Sequence, residues 1–198
     1  MPPIEKKREQ ILDAAVAEFQ QKGFAGASMD RIAERAAVSK RTVYNHFESK
    51  EVLFDAIVRL MFLEVRETVV APYVPGKPFR EQLIALGRAE GRLLQSERFM
   101  ALARMALGET MRAPEIATAV QEESEKFIAF SEFMTAAAAD GAIAEEDIDE
   151  AANQFVALLK ARSFWPYVLA GGAIGAEEME SIVQNSTATV MARFALRD

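Results

Sequence analysis

The segment Lys40-Arg-Thr-Val-Tyr-Asn-His-Phe47 interleaves side chains that can read a base edge or hold a phosphate with two apolar anchors. Val43 and Phe47 are four residues apart and share one face of a helix. At 100° per residue, Arg41 and Asn45 then point nearly opposite those anchors. A guanidinium can pair bidentately with guanine O6 and N7, and a carboxamide with adenine N6 and N7. Lys40 and Tyr44 lie on one flank, Thr42 and His46 on the other. Thr42 can meet a thymine methyl or a phosphate.

Other chemistries find little support. His46 is the only histidine and there is no cysteine, so the chain has no histidine or thiolate metal cluster, no disulfide framework and no cysteine nucleophile. The carboxylate pairs Glu122/Glu123 and Glu145/Glu146 are adjacent in sequence and read as solvated surface. No catalytic residue, metal or cofactor is therefore assigned, and catalysis stands as the weakest reading.

The elements that must position the segment come next. Ile11, Leu12, Ala15, Val16 and Phe19 recur at helical spacing and predict a helix over about 5–22, with Gly23 suited to a left-handed C-cap. Ser28 is placed to cap a second helix, with Asp30 in its first turn. Ala36-Ala-Val38 forms the turn, and Ser39 caps a third helix over about 40–47. Ser49 caps a fourth over about 50–70. Pro72, Pro75, Gly76 and Pro78 are the clearest punctuation. Further helices are expected at about 78–95, 97–110, 114–139, 148–169 and 176–196. The result is an all-α chain of about nine helices, with a helix-turn-helix domain at 1–50 and a helical domain at 51–198, the fourth helix crossing between them.

A net charge of −7 taken over the whole chain argues against a nucleic-acid partner. Residues 1–60, however, hold ten Lys/Arg and nine Asp/Glu, and the remainder 13 and 21, so the acidity lies outside the helix-turn-helix. Screening confines each charge to about 8–10 Å at physiological salt, so a local positive face is sufficient for phosphate contact. With 51% apolar residues a sizeable core is possible. No apolar run reaches the ~18 residues a membrane span needs, and Met-Pro-Pro-Ile-Glu-Lys-Lys-Arg lacks the apolar segment of a signal peptide. A soluble cytoplasmic protein is expected.

The stretch from Ile11 to Ile57 resembles the DNA-binding domain of TetR-family transcriptional regulators. The resemblance is carried by Ile11-Leu-Asp-Ala-Ala, Phe19, Gly23-Phe24, Ser28, Ile32-Ala33, Ala36, Val38-Ser39, Thr42-Val-Tyr44, His46-Phe47, Ser49-Lys50-Glu51 and Leu53. Asn153-Gln-Phe-Val-Ala-Leu-Leu-Lys160, Phe164-Trp165-Pro166 and Leu169 look like the C-terminal domain of the AefR-like branch. The resemblance implies double-stranded operator DNA as partner, with phosphate contacts from Tyr44, His46 and Lys50. Packing of Tyr44 on the first helix, an internal hydrogen bond for His46 and a solvated charge for Lys50 are the plain structural alternatives. Lys6, Lys7 and Arg8 read either as an arm touching phosphate or as a charged leader. Two positions depart from the family. Ala37 stands where glycine is common, at a cost on the order of 1 kcal/mol if its φ is positive. Arg41 stands where a small residue is common, so the operator cannot be carried over from relatives.

The C-terminal part is rich in methionine and aromatic side chains, which suit an adaptable apolar pocket but also any bundle core. The resemblance implies a small effector there, and the wide apolar face favours a hydrophobic or aromatic one over a sugar. The residues singled out for it are Met100, Arg104, Phe127, Phe130, Met134, Phe155 and Trp165, with Gln154 and Lys160 as further polar handles. It also implies a homodimer through the last two helices, whose apolar residues include Phe164, Val168, Met179, Ile182, Val183, Val190 and Phe194. Burial of the same stripes inside one chain is the alternative. The function expected is a ligand-responsive repressor on a pseudo-palindromic operator; the second reading is a DNA-binding factor whose C-terminal domain holds a protein partner.

Overall fold

A computed structural model describes residues 3–112 and 129–196; Phe127 and the Glu122/Glu123 pair lie outside the described residues. The described residues contain helices and no strand. In chain order the helices are α1 (Pro3–Gly26), α2 (Met29–Arg35), α3 (Lys40–His46), α4 (Lys50–Thr68), α5 (Phe79–Leu94), α6 (Glu97–Arg112) and α7 (Ala129–Ala139). A 3-10 turn at Glu145–Asp147 leads into α8 (Ile148–Ser163), α9 (Trp165–Ala170) and α10 (Ala176–Phe194). Of the helix expected at 114–139, only α7 falls within the described residues. The helix expected at 148–169 is divided at Phe164. Pro166 has no N–H to close a bond back to the preceding turn, and it suits the first turn of a new helix. No helix among the described residues is long and apolar enough to cross a membrane.

The chain divides into two compact units, Met1–Leu63 with Leu102–Lys126, and Glu64–Ala101 with Phe127–Asp198. The first therefore extends beyond the sequence-based boundary at residue 50, and α4 runs from one unit into the other. The reason is the aromatic cluster of Phe19, Phe24 and Phe54, with ring centroids 5.6–6.1 Å apart. Leu53, Phe54 and Ile57 of α4 are buried like Ile11, Ala15 and Ile32, so the first turns of α4 are core to that unit. Gly23, at φ 69°, breaks α1 so that Phe24 can enter the cluster.

A buried acid ties α1 to α2. Glu18 is 1% exposed; it accepts from Arg31 Nε at 2.5 Å and lies 3.6 Å from Arg35. Arg31 also donates to the Gly26 carbonyl, and Arg35 to Gln21. Burial by itself would raise the Glu18 carboxyl, but the Arg31 hydrogen bond, both guanidinium charges and the Ser28 backbone N–H outweigh it. The net result is a carboxyl below its ordinary range.

The α2–α3 turn closes as a Schellman motif. Ala37 N–H donates to the Glu34 carbonyl at 3.1 Å and Val38 N–H to the Ala33 carbonyl at 3.0 Å. The residue between helix end and bond must be left-handed, and Ala37 is, at φ 52°; among the described residues it is the only non-glycine with positive φ. The strain considered from sequence is accepted here.

In the second unit α5 packs antiparallel to α10 at close range. A Cβ on Gly87 would sit 3.0 Å from Val183 and 3.3 Å from Phe155, and one on Gly91 2.8 Å from Met179. This approach covers Met179 and Val183, and Ile182, Val190 and Phe194 are likewise buried within their own chain. The expectation that these five form a dimer surface is corrected: their side chains are covered within the chain, Met179 and Val183 because two glycines on α5 let α10 come close. Arg88 pairs with Glu180 across the same contact. The Arg88 hydrogen bond, then that of Gln184, draws the Glu180 carboxyl down to about 2. The proline-rich loop before α5 is held by Asp140, which accepts from Tyr73 Oη at 2.8 Å and Gly76 N–H at 2.9 Å. Burial, then that carboxylate, pushes the Tyr73 hydroxyl up to about 12.

Two stability predictions follow from these contacts. Ala37→Gly relieves the positive φ and is expected to stabilise the chain by about 0.5–1 kcal/mol, net of the greater freedom of glycine in the unfolded chain. Thermal unfolding checks it, and a lowered midpoint contradicts it. Glu18→Ala is expected to cost about 1–3 kcal/mol. Because the folded carboxyl is depressed below its ordinary value, the Glu18 contribution is complete above the ordinary glutamate range. It fades as pH falls through the lower folded value. The wild-type and alanine stabilities should therefore converge in acid, and a gap that persists in acid contradicts the ion-pair account.

Candidate nucleic-acid interface

Helix α3 is seven residues long and owes its orientation to two side chains. Val43 is fully buried and Phe47 is 3% exposed. Ser39 starts the helix: its Oγ accepts from Thr42 N–H at 3.1 Å and shares a 2.8 Å hydrogen bond with Thr42 Oγ1. With Val43 and Phe47 inward, Arg41 and Asn45 are exposed on the opposite face. Tyr44 is 50% exposed, so its ring does not pack away on α1. Thr42 and His46 are half-buried on the other flank. Arg41, Tyr44 and Asn45 thus form one outward patch with Lys40 at its N-terminal end.

The other predicted contact residues surround this patch. Ser28 caps α2, accepting from Arg31 N–H at 3.3 Å. Lys40 donates to Asp30 of α2 at 2.6 Å, with both side chains more than half exposed. An exposed pair of this kind contributes little and can be exchanged for a phosphate at small cost. Lys50 is different. Its ammonium donates to the Phe24 carbonyl at 3.0 Å and the Ala25 carbonyl at 3.4 Å, and lies 4.6 Å from the Phe24 ring centroid. It fastens the start of α4 to the end of α1, so neither a free phosphate ligand nor a merely solvated charge describes it. Lys6, Lys7 and Arg8 are helical residues of α1, and Arg8 stacks over Phe47 at 5.4 Å. An open groove of about 550 Å³ is lined by Arg8, His46, Phe47 and Arg59 among others.

Sequence reading passed over Glu18, Arg31 and Arg35, the ion-pair set that holds α2 against α1. The signal was present: Glu18 sits three and seven residues after Ala15 and Ile11, on the apolar stripe itself. An acid on a buried face needs cationic partners.

The residues singled out for an effector are distributed between the units. Arg104 falls in the first, while Met100, Phe130, Met134, Phe155 and Trp165 fall in the second. Met100, Phe130, Met134 and Phe155 are buried, and the Phe130 and Phe155 rings lie 6.0 Å apart. Trp165 is 50% exposed, edge-on to Phe164 at 5.1 Å, with Leu169 nearby in sequence at 84% exposure. Trp165 thus shares an outer apolar strip with Phe164, Val168 and Leu169, because the break at Phe164 turns α9 away from the interior.

Comparison with known proteins agrees with both halves. Residues 11–57 match the family model for bacterial regulatory proteins of the tetR family, and residues 81–196 match that for the C-terminal domain of AefR-like transcriptional repressors. A crystal structure of a TetR family transcriptional regulator from Pseudomonas syringae pv. tomato str. DC3000 is 37% identical, with TM-score 0.86, over 97% of this chain and 98% of that one. The flavonoid-responsive regulator FrrA is 26% identical, with TM-score 0.79, over 98% of this chain and all of that one. The HTH-type transcriptional regulator RutR of Escherichia coli (strain K12) is 37% identical over 83 residues, or 42% of this chain. That match spans only 36% of RutR. With a family model matched over more than half its length and a near full-length structural relative, the chain belongs to the TetR family of transcriptional regulators.

Proposed function

We propose that the chain is a homodimeric, cytoplasmic repressor that binds a pseudo-palindromic operator through α3 and releases it when a small hydrophobic effector binds the second unit. The observation that carries the DNA reading is the exposure of Arg41 and Asn45 opposite the buried Val43 and Phe47. A recognition helix of seven residues with two long polar readers spans a few base pairs, which suits one half-site of a two-fold operator. A dimer places two such helices about 34–36 Å apart, one turn of DNA. Tyr44, His46, Thr42 and Lys40 flank the readers and supply backbone contacts. Ser28 and Ser39 offer their helix-capping hydroxyls as well. Lys50 acts by holding the α1–α4 junction.

The repressor sign rests on the description of the matched C-terminal family model. The effector rests on the buried aromatic and methionine side chains of the second unit and on the likeness to a flavonoid-responsive regulator. An allosteric coupling of about 1–3 kcal/mol would lower operator affinity roughly 5- to 150-fold.

The dimer surface is reassigned to the outer faces of the last helices. Phe164, Trp165, Val168 and Leu169 give its large apolar part, and the exposed Ala157, Ala161, Ala188 and Ala192 on α8 and α10 let two copies approach closely. Small side chains on such faces permit four-helix packing.

Two outcomes test these statements. Genomic fragments retained by the purified protein should show a discrete footprint, and Arg41→Ala with Asn45→Ala should abolish it while leaving the fold intact by circular dichroism. Retention without a footprint, erased by salt, contradicts specific readout. Leu169→Glu with Ala188→Arg should convert the dimer to monomer in light scattering and weaken operator binding at least tenfold (about 1.4 kcal/mol). A dimer that survives both changes contradicts this surface.

A further inference from the structure

We infer that the groove along the outer face of α4, in the first unit, is a ligand site in its own right, and that it takes an amphipathic monoanion: an apolar body carrying one carboxylate or sulfonate. A ligand held there excludes the operator. The site is separate from the effector of the second unit, and only the exclusion rests on the DNA reading of α3.

The shape comes from α4. Its positions Leu53, Phe54, Ile57 and Val58 are buried in the core. Val52, Ala56, Leu60 and Leu63 recur at intervals of four, four and three and form a second apolar stripe on another face. All four line the groove of about 550 Å³, with Phe47 at the α3 end. Val52 and Leu63 are 44% and 48% exposed, so both ends of the stripe meet water. From Val52 to Leu63 the helix advances about 16 Å. A groove of this volume falls within the roughly 300–1,000 Å³ of small-molecule sites.

Charge selects the occupant. Two arginines, Arg8 and Arg59, line the groove against a single aspartate, Asp55, with His46 as the other titratable group. Two cations against one acid leave a positive balance. Both arginines are exposed, and among the described residues neither enters an ion pair. The Arg8 guanidinium lies 5.4 Å from the Phe47 ring centroid, a contact through its face that leaves its N–H edge to an acceptor. Such a fork pairs with a carboxylate or sulfonate through charge-assisted hydrogen bonds. An ammonium ligand meets like charge, a dianion sets its second charge against Asp55, and a neutral apolar body gains the stripe alone.

His46 joins the groove to the DNA face. It is half-buried, lines the groove and stands among the groups that flank the readers of α3. An anion beside it puts negative charge on the flank where a phosphate would sit, and the two repel. Ligand and operator then weaken one another by the same factor.

The test titrates the full chain with the fluorescent dye 8-anilinonaphthalene-1-sulfonate and with N-phenyl-1-naphthylamine, the same skeleton without the sulfonate. The sulfonate dye should bind at least about fivefold more tightly than the neutral one. Arg59→Glu should remove that preference. Ala56→Glu, which sets an acid in the apolar stripe, should weaken the sulfonate dye about tenfold. Circular dichroism checks that both variants keep their helix content; Arg59 is exposed, so its variant keeps the test open if Ala56→Glu does not fold. A duplex carrying the footprinted operator should weaken the sulfonate dye at least about fivefold. Equal affinity for the two dyes in the wild type overturns the monoanion. Sulfonate binding unchanged in the variants puts the dye elsewhere and overturns the site, while ligand response of the second unit stands. Failure of both dyes to bind overturns the site as well. Dye affinity indifferent to the operator overturns the exclusion and leaves the α3 reading standing.

Discussion

Burial of Val43 and Phe47 fixes the aim of the whole N-terminal unit. A seven-residue helix is too short to be stable by itself, so α3 exists because its two apolar side chains enter a core already built by other helices. Once they are inside, helical geometry leaves Arg41 and Asn45 no direction but outward. Everything else in that unit serves to keep the core in register: the Phe19–Phe24–Phe54 cluster, the Glu18 ion pairs that hold α2, and the Lys50 ammonium that fastens α4 to the end of α1. The strained Ala37 belongs to the same constraint, since a turn of any other shape would rotate α3 about its axis and move its readers off the exposed face.

The second unit is organised by close approach rather than by charge. Gly87 and Gly91 let α10 settle on α5, and this contact covers Met179 and Val183 of α10. The outer faces that remain on α8 and α10 are formed by alanine and short polar residues, with Phe164, Trp165, Val168 and Leu169 at one end. Those are the faces available to a second copy. Within the unit, Arg88 pairs with Glu180 across the α5–α10 contact, and Asp140 holds Tyr73 and the backbone of Gly76.

Local chemistry was legible in the sequence and long-range partnership was not. The caps at Ser28 and Ser39, the turn at Ala37 and the outward pair Arg41/Asn45 could be read because each depends on residues within one or two turns. The positive φ at Ala37 follows from the turn alone. The inward face of α10 could not be read the same way, because an apolar stripe does not say whether its cover comes from its own chain or from another; the spaced glycines of α5 were the missing clue. Lys50 looked like a phosphate ligand because its position at a helix start attracts anions, yet its long side chain reaches back to two carbonyls instead. Glu18 escaped notice because acids on helices usually face solvent, although its place on the apolar stripe marked it as buried.

The central claim is that Arg41 and Asn45 read bases rather than phosphates. Selection of bound duplexes from a random pool, run in parallel on the wild type and on Arg41→Gln, addresses it directly. The account predicts that the substitution changes the preferred base at one position, repeated symmetrically in both half-sites, while neighbouring preferences persist. Recovery of the same motif by both proteins, with the variant merely weaker, would place Arg41 on the backbone and contradict the assignment.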